Sequence, residues 1–424
     1  LLEEGKSVWY KGSEVDLNGR YPGRSADLVY LASDDRWVVV AIDALATRRG
    51  IYGVRIDTTN PNPETAVVYT DDAVGFVPMR GNNGSFDWGS WQLPFEQLGI
   101  RPCLFKNGAV NYYLNPDNFA EKATGGDADI TSGNDGDVMI EFPKLYWSFS
   151  KVGNERYVRM SQYPHDGFVC LAHTRGENVV DKIYIGAYPG AVIGGKLRSL
   201  SGKTPTGSKT HAAFRTDAQA NGEGYEQFLF YQMQLLQILY VIFFKNLDGQ
   251  TALGRGNVDA SVLKITGARN TSGMFYGSTD GTMQIKFCGI EDFWGNIRNW
   301  VDGIWSTANT NPARKLWIAT DEFNTVPYQQ DGETWIDAEP RPNNYKEYGT
   351  GFTSNVDGYI KNIHGTNETG FVTIDKNGSE STYYCDYAYL QAGCLGYFGG
   401  YWAVAGLAGP FSLGLYYYPV HSTS

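Results

Sequence analysis

The chain has 424 residues, of which 14% are aromatic and only 19% charged, and its formal net charge is −11. Few charges and many aromatics exclude a disordered chain. The acidic balance argues against a general nucleic-acid binder, which needs a basic face to displace counterions.

In chain order, residues 1–45 read as a small β-rich module. Asp27–Leu31 and Trp37–Ile42 have strand character, with turn signals at Asn18-Gly19 and Asp34-Asp35. The module has too few apolar residues for a large core, so attachment or oligomerisation is its expected role. Its opening text, LLEEGKSVWY, shows no apolar signal-peptide run. Residues 46–424 form the expected main domain. Asn107-Gly108 and Gly153-Asn154 each sit between apolar runs and mark hairpins, and Asp181–Ala187 reads as a strand. Residues 211–222 and 225–246 are the clearest helical stretches. Within the second, residues 228–244 are apolar apart from Gln232, Gln234 and Gln237, which suits a buried core helix better than a membrane span. Residues 306–380 are polar and loop-like. Residues 387–424 hold no Asp, Glu, Lys or Arg, yet their glycines with Pro410 and Pro419 break any helix. An open irregular chain cannot cross lipid, so no membrane insertion is expected. Few helices among many short strands and long loops predict an α+β class.

Familiar chemical motifs fail on spacing. Six residues separate Gly195 from Gly202 in GGKLRSLSGKT, where a phosphate-binding loop needs four. Asp127, Asp129, Asp135 and Asp137 lack the ligand spacing of a calcium loop. No two of the five His lie three or four apart. The five Cys (103, 170, 288, 385 and 394) form no CxxC, and buried thiols are the expectation. No metal, cofactor or catalytic residue is predicted.

The most informative segment is Phe287–Trp305, FCGIEDFWGNIRNWVDGIW. A helix here would place Phe293, Ile297, Trp300 and Ile304 on one face, with Gly295-Asn296 as a turn. The Trp294-Gly295-Asn296 text, with Trp300 four residues on, resembles the core motif of the C-type-lectin-like fold in its formylglycine-generating-enzyme branch. The strings DITSGNDGDVMIEFPK, KLRSLSGKTPT, FRTDAQANGEGY, GIEDFWGNIRNWVDG and YFGGYWAVAGLAGPF resemble tail-tip proteins of phages and prophages from gut Firmicutes. Those are similar to the variable proteins of diversity-generating retroelements.

The resemblance implies a C-type-lectin-like domain with a C-terminal variable region at about 385–424. Gly399, Gly400, Trp402, Ala408, Gly409 and Phe411 match the family's scaffold pattern, alongside Trp294, Gly295, Asn296 and Trp300. Tyr401, Ala403, Val404 and Leu407 fall at its substituted positions. Period-2 alternation after Phe411 puts Leu413 and Leu415 inward and Ser412, Gly414 and Tyr416 outward. Tyr417, Tyr418 and His421 extend the variable set. The resemblance further implies a non-enzymatic receptor-binding protein, made in the bacterial cytoplasm and carried on the virion at a phage tail tip. Its partners would be a host bacterial surface receptor, protein or glycan, and other tail proteins. A homo-oligomer, a trimer by family analogy, is expected. Two alternatives stand beside it. One is a bacterial surface adhesin or secreted lectin of the same fold. The other is an oxidase of the formylglycine-generating type, which would use Cys385 and Cys394; these lie nine apart, where that branch spaces its pair about five.

Overall fold

The computed structural model describes strands within residues 1–49, then residues 50–306, 314–321, 323, 328–331, 334–337, 345–352, 356–391, 393–417 and 422–423. The chain divides into two compact units, Leu1–Ile51 and Tyr52–Ser424. Strand far outweighs helix.

In the first unit, Val8–Tyr10, Ser13–Val15, Ala26–Leu31 and Arg36–Ile42 form one four-stranded sheet. Val8–Tyr10 runs parallel to Arg36–Ile42 and antiparallel to Ser13–Val15.

The second unit contains three larger sheets. One has five strands: Asn118–Lys122, Ala109–Asn115, Arg101–Lys106, Asp137–Pro143 and Lys182–Gly186, in that spatial order. The expected turn at Asn107-Gly108 joins two of them, with both residues at positive φ. A four-stranded sheet holds the Gly153-Asn154 hairpin, Tyr146–Val152 with Glu155–Ser161, beside Ile51–Asp57 and Val67–Asp71. A seven-stranded sheet runs Tyr345–Phe352, Arg314–Ala319, Asn299–Ser306, Leu395–Phe398, Leu413–Tyr417, Tyr387–Leu390 and Val356–Tyr359.

The helix Phe230–Phe244 is buried along its whole length, as its unbroken apolar text requires. Fifteen residues span roughly 22 Å, short of the roughly 30 Å of a bilayer core. Among the described residues, no helix is long and apolar enough to cross a membrane. The three glutamines are how this helix is fastened. Gln234 Nε2 donates to Asn367 O at 2.8 Å and Gln237 Nε2 to Pro410 O at 2.9 Å, while Gln232 Oε1 accepts from Leu229 N. Each buried amide thus satisfies a loop backbone group that water cannot reach.

Phe287–Trp305 is not a helix. Lys286–Phe287 and Ile290–Glu291 form a small hairpin, and Asn299–Ser306 is a central strand of the seven-stranded sheet. Between them Asp292, Gly295 and Asn296 take positive φ (58°, 79° and 63°), a backbone that no right-handed helix contains. Phe293, Ile297, Trp300 and Ile304 are nevertheless all buried.

A buried polar network joins the helix His211–Gln219 to the same strand. Arg215 donates to both Asp302 carboxylate oxygens (2.8 and 2.6 Å), and Gln227 Nε2 donates to Asp302 Oδ2 at 3.1 Å. The bidentate geometry compensates two buried charges. His211 lies beside this pair, and His173 is buried against Phe142 O at 3.2 Å. Burial pushes both imidazoles down to about 4. Unfolded, each would take up a proton near 6.5, before the folded state does, so stability is lost as pH falls from about 6.5 toward 4. The urea midpoint of the wild type should therefore drop more between pH 6.5 and 4.5 than that of His173→Gln. Equal drops would remove His173 from this account.

A tyrosine face beside a backbone-anchored loop

The turn at 292–296 is built around one side chain. Asn296 Oδ1 accepts from Asn257 Nδ2 (2.9 Å) and Lys264 N (2.8 Å); its Nδ2 donates to Asp292 Oδ2 (2.7 Å) and Lys264 O (3.1 Å). Trp294 is buried, with its indole N–H shared between Gly254 O and Arg255 O, both at 3.2 Å. Its ring meets Tyr240 of the central helix edge-on.

This turn carries the loop 399–412 through main-chain atoms. Gly295 N donates to Gly399 O (2.8 Å), Trp402 N to Asn296 O (3.2 Å) and Ala405 N to Val258 O (3.2 Å). Gln250 Nε2 donates to Ala405 O and Ala408 O, both at 2.8 Å. Gln237 takes Pro410 O, and Asp386 Oδ2 accepts from Phe411 N at 2.6 Å. The glycines are close-approach positions. A Cβ on Gly409 would lie 2.0 Å from Asp386 Oδ1, and one on Gly400, at φ 74°, would lie 2.7 Å from Ala408 Cβ. Ala408 and Phe411 are buried, and Phe411 packs on Tyr240, Phe371 and Tyr384.

Of the substituted positions, Val404 packs against the core and over Gly400, and the others take no part in these anchoring bonds. Ala403 is exposed; Tyr401, Val404 and Leu407 are half-buried. Tyr401 stacks edge-on against Trp402 and lies under the Arg298 guanidinium, 4.3 Å from its ring centre. Trp402, expected in the core, is only half-buried. Its main chain is the anchored part, and its ring lies against Tyr401.

Leu413 and Leu415 point into the core, and Tyr416 is half-exposed against Tyr389 at 4.2 Å. Ser412 and Gly414, expected outward, are buried. The Ser412 hydroxyl donates to Leu407 O at 2.7 Å. The Tyr397 ring covers Gly414 so closely that a Cβ there would lie 2.1 Å from Cζ. Tyr417 is half-buried between Trp300 and Tyr397, and its hydroxyl accepts from Arg298 Nη1 at 2.6 Å. Tyr418 and His421 lie outside the described residues.

The structure adds residues that the sequence reading missed. Tyr359, Tyr387, Tyr389 and Tyr397 are all half-exposed and extend the aromatic surface. Tyr359 meets Tyr387 at 5.1 Å, and the Tyr387 hydroxyl donates to Asp357 Oδ1 at 2.5 Å. Tyr387-Ala388-Tyr389-Leu390 alternates outward and inward on one strand, a period-2 signal present in the text. Arg298 lies over Tyr397, Tyr401 and Tyr417, placing a cation among their ring faces. Burial pushes the Tyr397 phenol up, and burial with the Asp357 carboxylate pushes Tyr387 up to about 12. Both remain neutral hydroxyls at physiological pH. Val262 and Ile265 are exposed on the 257–266 loop that Asn296 also holds.

Chemistry elsewhere is muted. Cys385 and Cys394 are buried, and burial pushes the Cys385 thiol up, away from a reactive thiolate. In the acidic loop, Asp129 is occupied by Thr131 and Ser132, Asp135 by Tyr112, and Asp137 by Arg198. Among the described residues, no group of three or more His, Cys, Asp or Glu is placed to hold a metal ion.

The division between anchors and free side chains is testable by stability. Gly409→Ala should destabilise by roughly 1–3 kcal/mol through overpacking against Asp386. Ala403→Tyr should stay within about 0.5 kcal/mol of wild type. Chemical denaturation measures both, and equal effects would contradict the assignment. No protein-family model matches the chain, and no curated protein matches it.

Proposed function

We propose that this chain is a non-enzymatic receptor-binding protein of a phage tail tip, with a C-type-lectin-like scaffold presenting a variable surface. The observation that carries the reading is the 399–412 loop. It is held by main-chain hydrogen bonds and glycine contacts, and the side chains of Tyr401, Ala403, Val404 and Leu407 take no part in those bonds. Such a loop tolerates side-chain exchange, as the resemblance to retroelement-diversified proteins requires.

The neighbouring tyrosines suit recognition. Tyr offers a large, amphipathic contact with few rotors to immobilise, and its hydroxyl both donates and accepts. Arg298 adds a guanidinium without placing a charge in the uncharged 387–424 segment. One such site binds weakly. Several copies in a homo-oligomer, a trimer by analogy, gain avidity against a repeated receptor on the host bacterial surface. The first 45 residues are then available for attachment to other tail proteins.

The test is attachment to host cells by the purified protein. The triple variant Tyr389→Ala, Tyr401→Ala, Tyr416→Ala should lose attachment at least tenfold, equivalent to about 1.4 kcal/mol, with little change in Tm. Full attachment by a folded triple variant would refute the reading.

A further inference from the structure

Arg298 stands in the tyrosine face without a carboxylate partner among the described residues. It lies just ahead of the strand Asn299–Ser306 and is half-buried. Its guanidinium is 4.3, 5.2 and 5.7 Å from the ring centres of Tyr401, Tyr397 and Tyr417. Nη1 donates to the Tyr417 hydroxyl at 2.6 Å. Nη2 is open to solvent and donates to no group among the described residues. Other half-buried or buried cations are matched: Arg198 by Asp137 and Arg215 by Asp302.

The acids of the face do not supply the missing charge. Residues 387–424 contain none, and Asp386 is buried on Phe411 N. Asp357 accepts from Tyr387, and Glu380 lies near Tyr359. Asp357 and Tyr359 belong to the strand Val356–Tyr359, four strand spacings from Asn299–Ser306 in the seven-stranded sheet, or roughly 19 Å. Exposed charges are largely screened beyond roughly 8–10 Å in physiological salt.

A half-buried guanidinium has lost part of its hydration. Ring faces return some of it by cation–π attraction but leave Nη donors unused. Carboxylates and phosphates fit such donors, since each accepts two parallel N–H bonds. The charge of the whole chain decides between a polyanionic polymer and a single acidic side chain. At −11, the chain repels a polymer charged at every unit, and one guanidinium offsets only one of those charges. An Asp or Glu set among apolar side chains meets the cation and the rings together. We propose that Arg298 is the specificity-determining residue of this face, and that the receptor is a protein presenting an Asp or Glu carboxylate to it. The proposal rests on the receptor-binding reading above and names its partner class. Arg298 precedes the 385–424 segment, so on that reading the demand for a carboxylate stays constant while Tyr401 and Tyr417 change.

Attachment of the purified full chain to host cells tests this, with the cells prepared in three ways. One set is untreated, one has its surface carboxylates converted to neutral amides with carbodiimide and glycinamide, and one is shaved with protease. Amidation should weaken wild-type attachment by about tenfold or more, and shaving should abolish it. Arg298→Gln should attach to untreated cells as weakly as wild type does to amidated ones, and amidation should not weaken it further. A purely structural role for Arg298 would not produce that convergence. Arg298→Met, which keeps the apolar stem over the rings, gives the same comparison if Arg298→Gln lowers Tm. Wild-type attachment that ignores amidation overturns the proposal whatever the variants do. So does full attachment by a folded Arg298→Gln, while loss of attachment in the triple tyrosine variant would still uphold the receptor-binding reading. Amidation-sensitive attachment that survives shaving would place the carboxylate on a glycan and overturn the protein assignment. Failure of the wild type to attach to untreated cells would overturn the reading and this proposal with it.

Discussion

Asn296 is the side chain on which the architecture around the site depends. It sits at positive φ in a turn between a hairpin and a sheet strand, where its amide meets two donors and two acceptors. Three of those bonds lock the 257–264 loop to the 292–296 turn, and the fourth, to Asp292, closes the turn itself. That turn then presents Gly295 N to Gly399 O and Asn296 O to Trp402 N, fixing both ends of the Gly399–Trp402 segment. Removing the amide would leave buried partners unsatisfied on both loops, a cost larger than that of one hydrogen bond.

From this point the structure separates support from presentation. The central helix contributes Tyr240 behind Trp294 and Phe411, and Gln237 beneath Pro410. Arg215 and Asp302 tie the strand that follows the turn to the helix His211–Gln219. All of these contacts lie on the inner side. The outward side is left to tyrosines whose rings lean on one another and on Arg298. A surface built this way is ordered by contacts between its own rings and Arg298, above a backbone held from the inner side.

Much of the support was legible in the sequence. The apolar run at 228–244 announced its burial, and the Asn107-Gly108 and Gly153-Asn154 pairs announced their hairpins through positive-φ preference. The Trp294-Gly295-Asn296 text marked a buried aromatic turn. What misled was spacing: Phe293, Ile297, Trp300 and Ile304 fall at helical intervals but are buried by a turn and a strand. The positive φ of Asp292, Gly295 and Asn296 breaks any helix there, and no periodicity reports it. The site was less legible because its limits are set by other strands. Gly414 alternates outward along its own strand, yet Tyr397 from the neighbouring strand covers it. Trp402 reads as core by residue type, but its backbone is the anchored part. Tyr387 and Tyr389 followed a visible alternation; Arg298 joined them only through tertiary contact.

The account rests on a loop whose backbone is fixed and whose side chains are free. A library randomised at single positions, sorted for folding by protease resistance and sequenced, tests that claim directly. Tyr401, Ala403 and Leu407 should accept most residue types. Asn296, Gly399, Gly400 and Gly409 should accept almost none. Comparable tolerance across the two sets would contradict the separation of anchor from presented surface.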